Sequence, residues 1–140
     1  MHGLWRRPLV SIIKLVFSED SAAGRFHFEP FCHVWKTPGS NVTAMRVYDE
    51  LYTSDLFLAE HDKLQNSRSV PGCKLPKVIT ALMLWSDSTH LAQFGMAQLW
   101  PVYLFFGNQS KLERCKPSAE ACHHVVYMPK VSLCAGPVES

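Results

Sequence analysis

Asp87 stands behind the apolar run of residues 78–85, separated from it by Ser86 alone. An Asp in that place sets a carboxylate at the edge of a buried sheet, where a hard oxygen ligand suits Mg²⁺ or Mn²⁺. The same position also suits an Asx turn or a helix cap, and Ser86, Ser88 and Thr89 are turn formers. Residue type and spacing leave both readings open. His90 is a candidate general base or a turn histidine. Cys115, Cys122, His123, His124 and Cys134 could be gathered into a zinc site, but they lack the closely spaced cysteine pairs that structural zinc uses, so they read as unconnected side chains. Trp85, Trp100, Tyr103, Phe105 and Phe106 could stack on bases. Inside apolar strands they read as core residues. Lys111, Arg114 and Lys116 form a small basic cluster that could touch phosphate or face solvent.

The elements that must position these residues can be read from hydrophobic spacing. Val10, Ile13, Val16 and Phe17 recur at helical intervals and predict an amphipathic helix over residues 9–17. Phe26, Phe28 and Phe31 suit an extended segment, from whose centre Pro30 excludes a sheet position. The stretch 37–41 is a turn. Thr43 then caps a predicted helix with Ala44, Val47, Tyr48, Leu51 and Tyr52 on one face. A second helix starts at Ser54-Asp55 and runs through Leu56, Ala59, His61 and Leu64 to about Gln65. The charged residues between them read as a solvated face. Residues 66–74, with Pro71-Gly72, form a connector and the main boundary. Residues 78–85 read as a strand buried on both faces that stops at the polar turn 86–89. Residues 99–106 form a second strand, antiparallel to the first, and 123–128 a third, which together make a meander. Half a sheet would leave unpaired edges and an exposed apolar stretch at 103–106.

The chain has 140 residues, of which 47% are hydrophobic and 19% charged. That places it among globular chains of about one domain and excludes wholesale disorder. Fourteen Lys and Arg against 12 Asp and Glu give a net charge of +2. So weak a field does not by itself attract nucleic acid, membranes or acidic substrates, and DNA contact would need a local patch. No apolar run reaches the ~18–20 residues of a membrane span. Arg6 and Arg7 ahead of an apolar stretch imitate a signal peptide, but Lys14 interrupts the run and Glu19 and Asp20 close it without a cleavage site. The five cysteines are odd in number and scattered, as free thiols in a reducing compartment are. Without a signal peptide, Asn41-Val42-Thr43 and Asn108-Gln109-Ser110 read as chance matches to the glycosylation sequon.

The run Val78-Ile79-Thr80-Ala81-Leu82-Met83-Leu84-Trp85-Ser86-Asp87-Ser88-Thr89-His90-Leu91, with Phe94-Gly95 and Leu99-Trp100-Pro101-Val102-Tyr103-Leu104-Phe105-Phe106-Gly107-Asn108-Gln109-Ser110-Lys111, closely resembles the Plavaka-type transposases of fungal DNA transposons, which are similar to the CACTA group. Lys116-Pro117-Ser118-Ala119, His123-His124, Phe28-Glu29-Pro30-Phe31 and the stretch 46–55 extend the resemblance over residues 26–130. It implies an α/β chain of RNase H-like DDE/D fold, in which three carboxylates hold two dications for phosphodiester cleavage and transfer. Asp87 matches the first of these acids, both as a catalytic residue and as a metal ligand. The family's second and third acids lie beyond the third strand. Here only Glu113, Glu120 and Glu139 follow Asp87, and none comes after a buried strand.

The resemblance therefore implies a partial copy. Residues 1–74 would be an N-terminal helical segment and connector, 75–130 a truncated RNase H-like core that opens the three-strand meander, and 131–140 a divergent tail. Such a chain would have no independent catalysis and would hold Mg²⁺ or Mn²⁺ only loosely. Its expected partners are DNA and a homo-oligomer, with no membrane and no small-molecule substrate, in the nucleus or cytoplasm. Two alternatives stand beside it: a non-enzymatic module that binds DNA or transposase, and an activity completed in trans by a partner chain.

Overall fold

The computed structural model describes residues 5–19, 24–39, 43–90 and 98–129. The chain begins in a short strand, β1 (Trp5–Arg6), and turns at Pro8 into helix α1 (Leu9–Ser18). The buried side of α1 is Ile12 and Val16, one turn apart, with Ile13 and Phe17 packed beside them. Val10, which the spacing put on this stripe, is 62% exposed. Two short strands follow, β2 (His33–Trp35) and β3 (Met45–Val47), paired antiparallel with Val34 opposite Arg46.

The helix expected from Thr43 does not form. Met45–Val47 is extended and Leu51–Thr53 is a single 3₁₀ turn. Arg46 and Tyr48, two residues apart, both reach Asp55, at 3.3 and 2.7 Å. Residues two apart share a face in a strand but not in a helix. Arg46 also donates to the Thr53 carbonyl at 2.6 Å and lies over the Tyr48 ring. Helix α2 (Asp55–Gln65) begins where the sequence placed it, with Ser54 Oγ accepting from the Phe57 N–H at 3.2 Å. Lys77 closes its far end by donating to the Gln65 and Ser67 carbonyls, which also fastens the connector.

The main sheet contains β4 (Leu82–Ser86), β5 (Thr89–His90), β6 (Gln98–Phe106) and, after the short helix α3 (Lys111–Arg114), β7 (His123–Pro129). Its order is β1-β7-β6-β4, with β5 also on β6, and every pairing is antiparallel. The expected meander is present, and β1 adds an edge that the sequence did not announce. Leu104 and Phe106 are fully buried beneath α1, where Phe26 and Phe17 meet the Phe106 ring at 5.4 and 5.9 Å. The expectation of an exposed stretch at 103–106 therefore fails. The exposed apolar strand is β4, because it lies at the sheet edge. Leu82, Met83, Leu84 and Trp85 are 40%, 39%, 60% and 66% exposed, so the expected burial on both faces is not found.

Asn108 joins this sheet to the segments around it. Its side chain is fully buried, and its Oδ1 accepts from the Ala81 N–H at 2.8 Å. Its Nδ2 donates to the carbonyls of Ile79 and His27 at 2.8 and 3.0 Å, while the His27 N–H donates to the Asn108 carbonyl. Gly107 beside it donates to the Ala81 carbonyl, and a Cβ there would run into the Leu51 side chain and come within 3.1 Å of Ala81 Cβ. The sequon at Asn108 is thus a buried structural amide.

Asn108→Ala removes the partners of the Ala81 N–H and the Ile79 carbonyl together. Urea unfolding should show a loss of about 2–4 kcal/mol. Asn108→Asp, which keeps the shape but turns both donors into acceptors, should lose at least as much, and wild-type stability in either variant would contradict this role.

The N-terminal half adds a pH dependence. Burial raises the affinity of Asp49 for its proton, but the Thr53 hydroxyl and His33, at 3.0 and 2.9 Å, outweigh it and hold the carboxyl below its ordinary range. Tyr48 does the same for Asp55, partly opposed by burial and helped by Arg46. A carboxylate held low when folded contributes stability above its unfolded pKa and loses it as pH falls through the folded value. Melting temperature should therefore drop as pH falls below the ordinary carboxylate value of 3.8. The drop should be shallower in the Asp49→Asn, Asp55→Asn double variant, and an equally steep fall in both proteins would exclude this pair as its source.

Candidate functional site

The segment that carries Asp87 is an interrupted strand. Ser86 lies opposite Val102 and Thr89 opposite Leu99, so β4 and β5 keep one register along the same edge of β6. Continuing that register sets Asp87 against Pro101. The Gly107 N–H donates to the Ala81 carbonyl across this pair of strands, so the odd-numbered residues of both strands point their backbone groups at each other. Position 101 is where β6 should supply an N–H to Asp87, and proline has none. The ladder breaks there and resumes at Thr89. The stretch 86–89 is therefore not the turn between the two strands that the sequence suggested, because β5 beyond it still pairs with β6; residues 91–97 lie outside the described residues.

Side chains alternate along a strand, so Asp87 continues the face of Met83 and Trp85, opposite α1. It is exposed, and its Oδ1 accepts from the Ser88 N–H at 2.7 Å. An Asx turn would take the N–H two residues on, at Thr89, so this contact to the next residue is not the Asx turn that residue type alone allowed, and it leaves the carboxylate open to solvent. The side chain of His90 lies outside the described residues, as do Cys134, Glu139 and the sequon at Asn41.

The other acids stand apart from Asp87. Glu113 on α3 pairs with Lys116, and Glu120 has left-handed backbone with φ of 46°. Lys116 thus takes up Glu113, although Arg114 and Cys115 beside it line a hollow with Met83, Leu84 and Trp85 of β4. Asp49 and Asp55 are held in the N-terminal network. Among the described residues, no group of three or more His, Cys, Asp or Glu side chains is placed to hold a metal ion. Cys115 and Cys122 are free and exposed. His123 packs on Phe106, where burial, joined by the charge of Arg7, pushes it below its ordinary pKa despite the pull of Glu19. His124 Nδ1 sits 2.7 Å from the Tyr127 hydroxyl.

The basic cluster is largely spent within the protein. Arg114, with 15% of its side chain exposed, pairs at 3.2 Å with Glu50, whose side chain is 5% exposed. Glu50 also accepts from the Lys111 N–H at 2.6 Å, which caps α3 from more than 60 residues away. No local signal in the sequence points to this contact. Of the aromatics, Phe106 is core as expected, Tyr103 and Phe105 are half-buried, and Trp85 and Trp100 remain 66% and 40% exposed. Among the described residues no helix is long and apolar enough to cross a membrane.

No curated protein and no solved structure gives a significant match to this chain. The family described as Plavaka transposase matches residues 1–136. The match goes beyond the residues that carry the resemblance in the sequence, and it takes in 131–136 of the stretch set apart as a tail. With 136 of its 140 residues matched, the chain belongs to the Plavaka transposase family.

Proposed function

We propose that this chain is a partial copy of a fungal DNA-transposon transposase. In this reading it carries the opening strands of an RNase H-like DDE/D core, contacts DNA in the nucleus or cytoplasm without a small-molecule substrate, and does not cleave or join DNA by itself. Its family membership and the antiparallel meander of β4, β6 and β7 support the reading. The observation that carries it is the place of Asp87, on an open sheet face where Pro101 interrupts the ladder.

Asp87 is the position for the first metal-binding acid. Its exposed carboxylate is a hard oxygen donor, as Mg²⁺ or Mn²⁺ requires. Two dications close together repel, and only several converging carboxylates hold them. Among the described residues Asp87 belongs to no group of three or more metal-ligating side chains, and Glu113 is paired with Lys116, so they do not fit a paired-metal centre. What this chain's residues do at the site is local. Pro101 opens the ladder, the Ser88 N–H orients Oδ1, and Trp85 flanks the carboxylate on the same face.

The purified chain and an Asp87→Ala variant, incubated with supercoiled plasmid and Mg²⁺ or Mn²⁺, should both leave the plasmid intact. Metal-dependent nicking by the parent that vanishes in the variant would overturn the proposal in favour of an activity completed by a second chain.

A further inference from the structure

We propose that the hollow between the 28–29 segment, α2 and residues 76–78 binds an alkylammonium ion, with its charge on Glu29 and Gln65 and its carbon chain along Phe28, Pro76 and Val78. The hollow measures about 490 Å³, within the range of small-molecule sites. Its three walls are far apart in sequence, yet the fold fixes all of them in advance. The buried Asn108 amide holds the His27 carbonyl beside Phe28 and the Ile79 carbonyl beside Val78. Gln65 Nε2 donates to the Lys77 carbonyl at 2.8 Å, which ties α2 to the 76–78 wall. A site built in this way loses little binding energy to ordering its own walls.

The polar groups on these walls select the ligand. Lys77 is spent. Its ammonium donates to the Gln65 and Ser67 carbonyls at 3.2 and 2.7 Å and to Ser67 Oγ at 3.1 Å, which uses all of its N–H groups. That charge answers the carbonyl end of α2 and is not free for an occupant. What remains is mainly a set of acceptors. Glu29 is exposed and makes no ion pair or hydrogen bond among the described residues. Gln65, with Nε2 committed to Lys77, leaves Oε1 without a partner among them. His61 also lines the hollow, and its buried Nδ1 has no hydrogen-bond partner. A phosphate or carboxylate would meet the charge of Glu29 with no free cation to hold it. An ammonium brings the donors and the positive charge that these acceptors lack. The other lining side chains, Phe28, Pro76 and Val78, are apolar and suit a carbon chain.

Free diamines and lysine side chains share this chemistry. The test therefore titrates the full chain with cadaverine and, separately, with Nα-acetyl-lysine methylamide, and follows the NMR signals of the Gln65 side-chain amide and of Val78. The amines should give saturable shifts confined to the hollow, whereas pentanol and valerate, which lack or reverse the charge, should give none. Tighter binding of cadaverine would mark a free diamine as the occupant, and tighter binding of the blocked lysine a lysine side chain. Glu29→Gln should weaken binding roughly three- to tenfold. Its urea midpoint should stay at the parent value, because Glu29 holds no other group. Glu60→Gln removes an equal charge from α2, where Glu60 pairs with Lys63 outside the hollow, and should leave binding unchanged. No saturable shift with either amine, equal shifts with pentanol or valerate, binding that Glu29→Gln leaves intact, or equal weakening by Glu60→Gln would overturn the proposal.

Discussion

The fold depends on a buried amide. Asn108 follows the long strand β6 and, with one side chain, takes the Ala81 N–H, the Ile79 carbonyl and the His27 carbonyl. Backbone groups that leave a sheet edge need partners or water, and here a single residue supplies three of them. The result is that β4 enters the sheet in a fixed register and the 26–28 segment is held where Phe26 and Phe28 can close over α1 and Phe106. Gly107 leaves room for Leu51, which carries the N-terminal half against this junction. Glu50, beside Leu51, then reaches Arg114 and the start of α3. The helical and sheet portions of the chain are thus locked together through residues 50–51 and 107–114.

A second constraint, the proline in β6, shapes the candidate site. Pro101 pairs normally with Tyr127 on its other side but cannot donate to the strand that carries Asp87. The interruption leaves Asp87 outside the ladder within an otherwise continuous edge, its Oδ1 taking the Ser88 N–H. Among the described residues Asp87 joins no group of three or more His, Cys, Asp or Glu side chains that could hold a metal ion, while Glu113 is taken up by Lys116 and Asp49 and Asp55 by the N-terminal network.

Much of this was legible in the sequence. The pairing of Leu82–Trp85 with the run 99–106, α1 and the Ser54 cap follow from local pattern, whereas residues 78–81 of the first run stay outside the strand. Burial was less legible, because a continuous apolar run reads alike in a central and in an edge strand; only the sheet order shows that Leu84 and Trp85 stay exposed. The helix predicted from Thr43 failed because Ala44, Val47, Tyr48, Leu51 and Tyr52 happen to match a helical stripe, whereas the contacts of Arg46 and Tyr48 with Asp55 need a period of two. Asp87 is singled out by its place after an apolar run, but the break in the ladder at Pro101 needed the register. Asn108 resembled only a sequon, and the pairing of Glu50 with Arg114 spans a separation that no local pattern can reveal.

The central claim is that Asp87 supplies one isolated metal-binding carboxylate. Paramagnetic broadening of backbone amides by Mn²⁺ tests it most directly. The account predicts broadening that is strongest at Asp87, Ser88 and Thr89, appears only at millimolar metal, is lost in Asp87→Asn, and is unchanged in Glu113→Gln and Glu120→Gln. Tight binding that Glu113→Gln or Glu120→Gln weakens, or no broadening at Asp87 at any concentration, would contradict it.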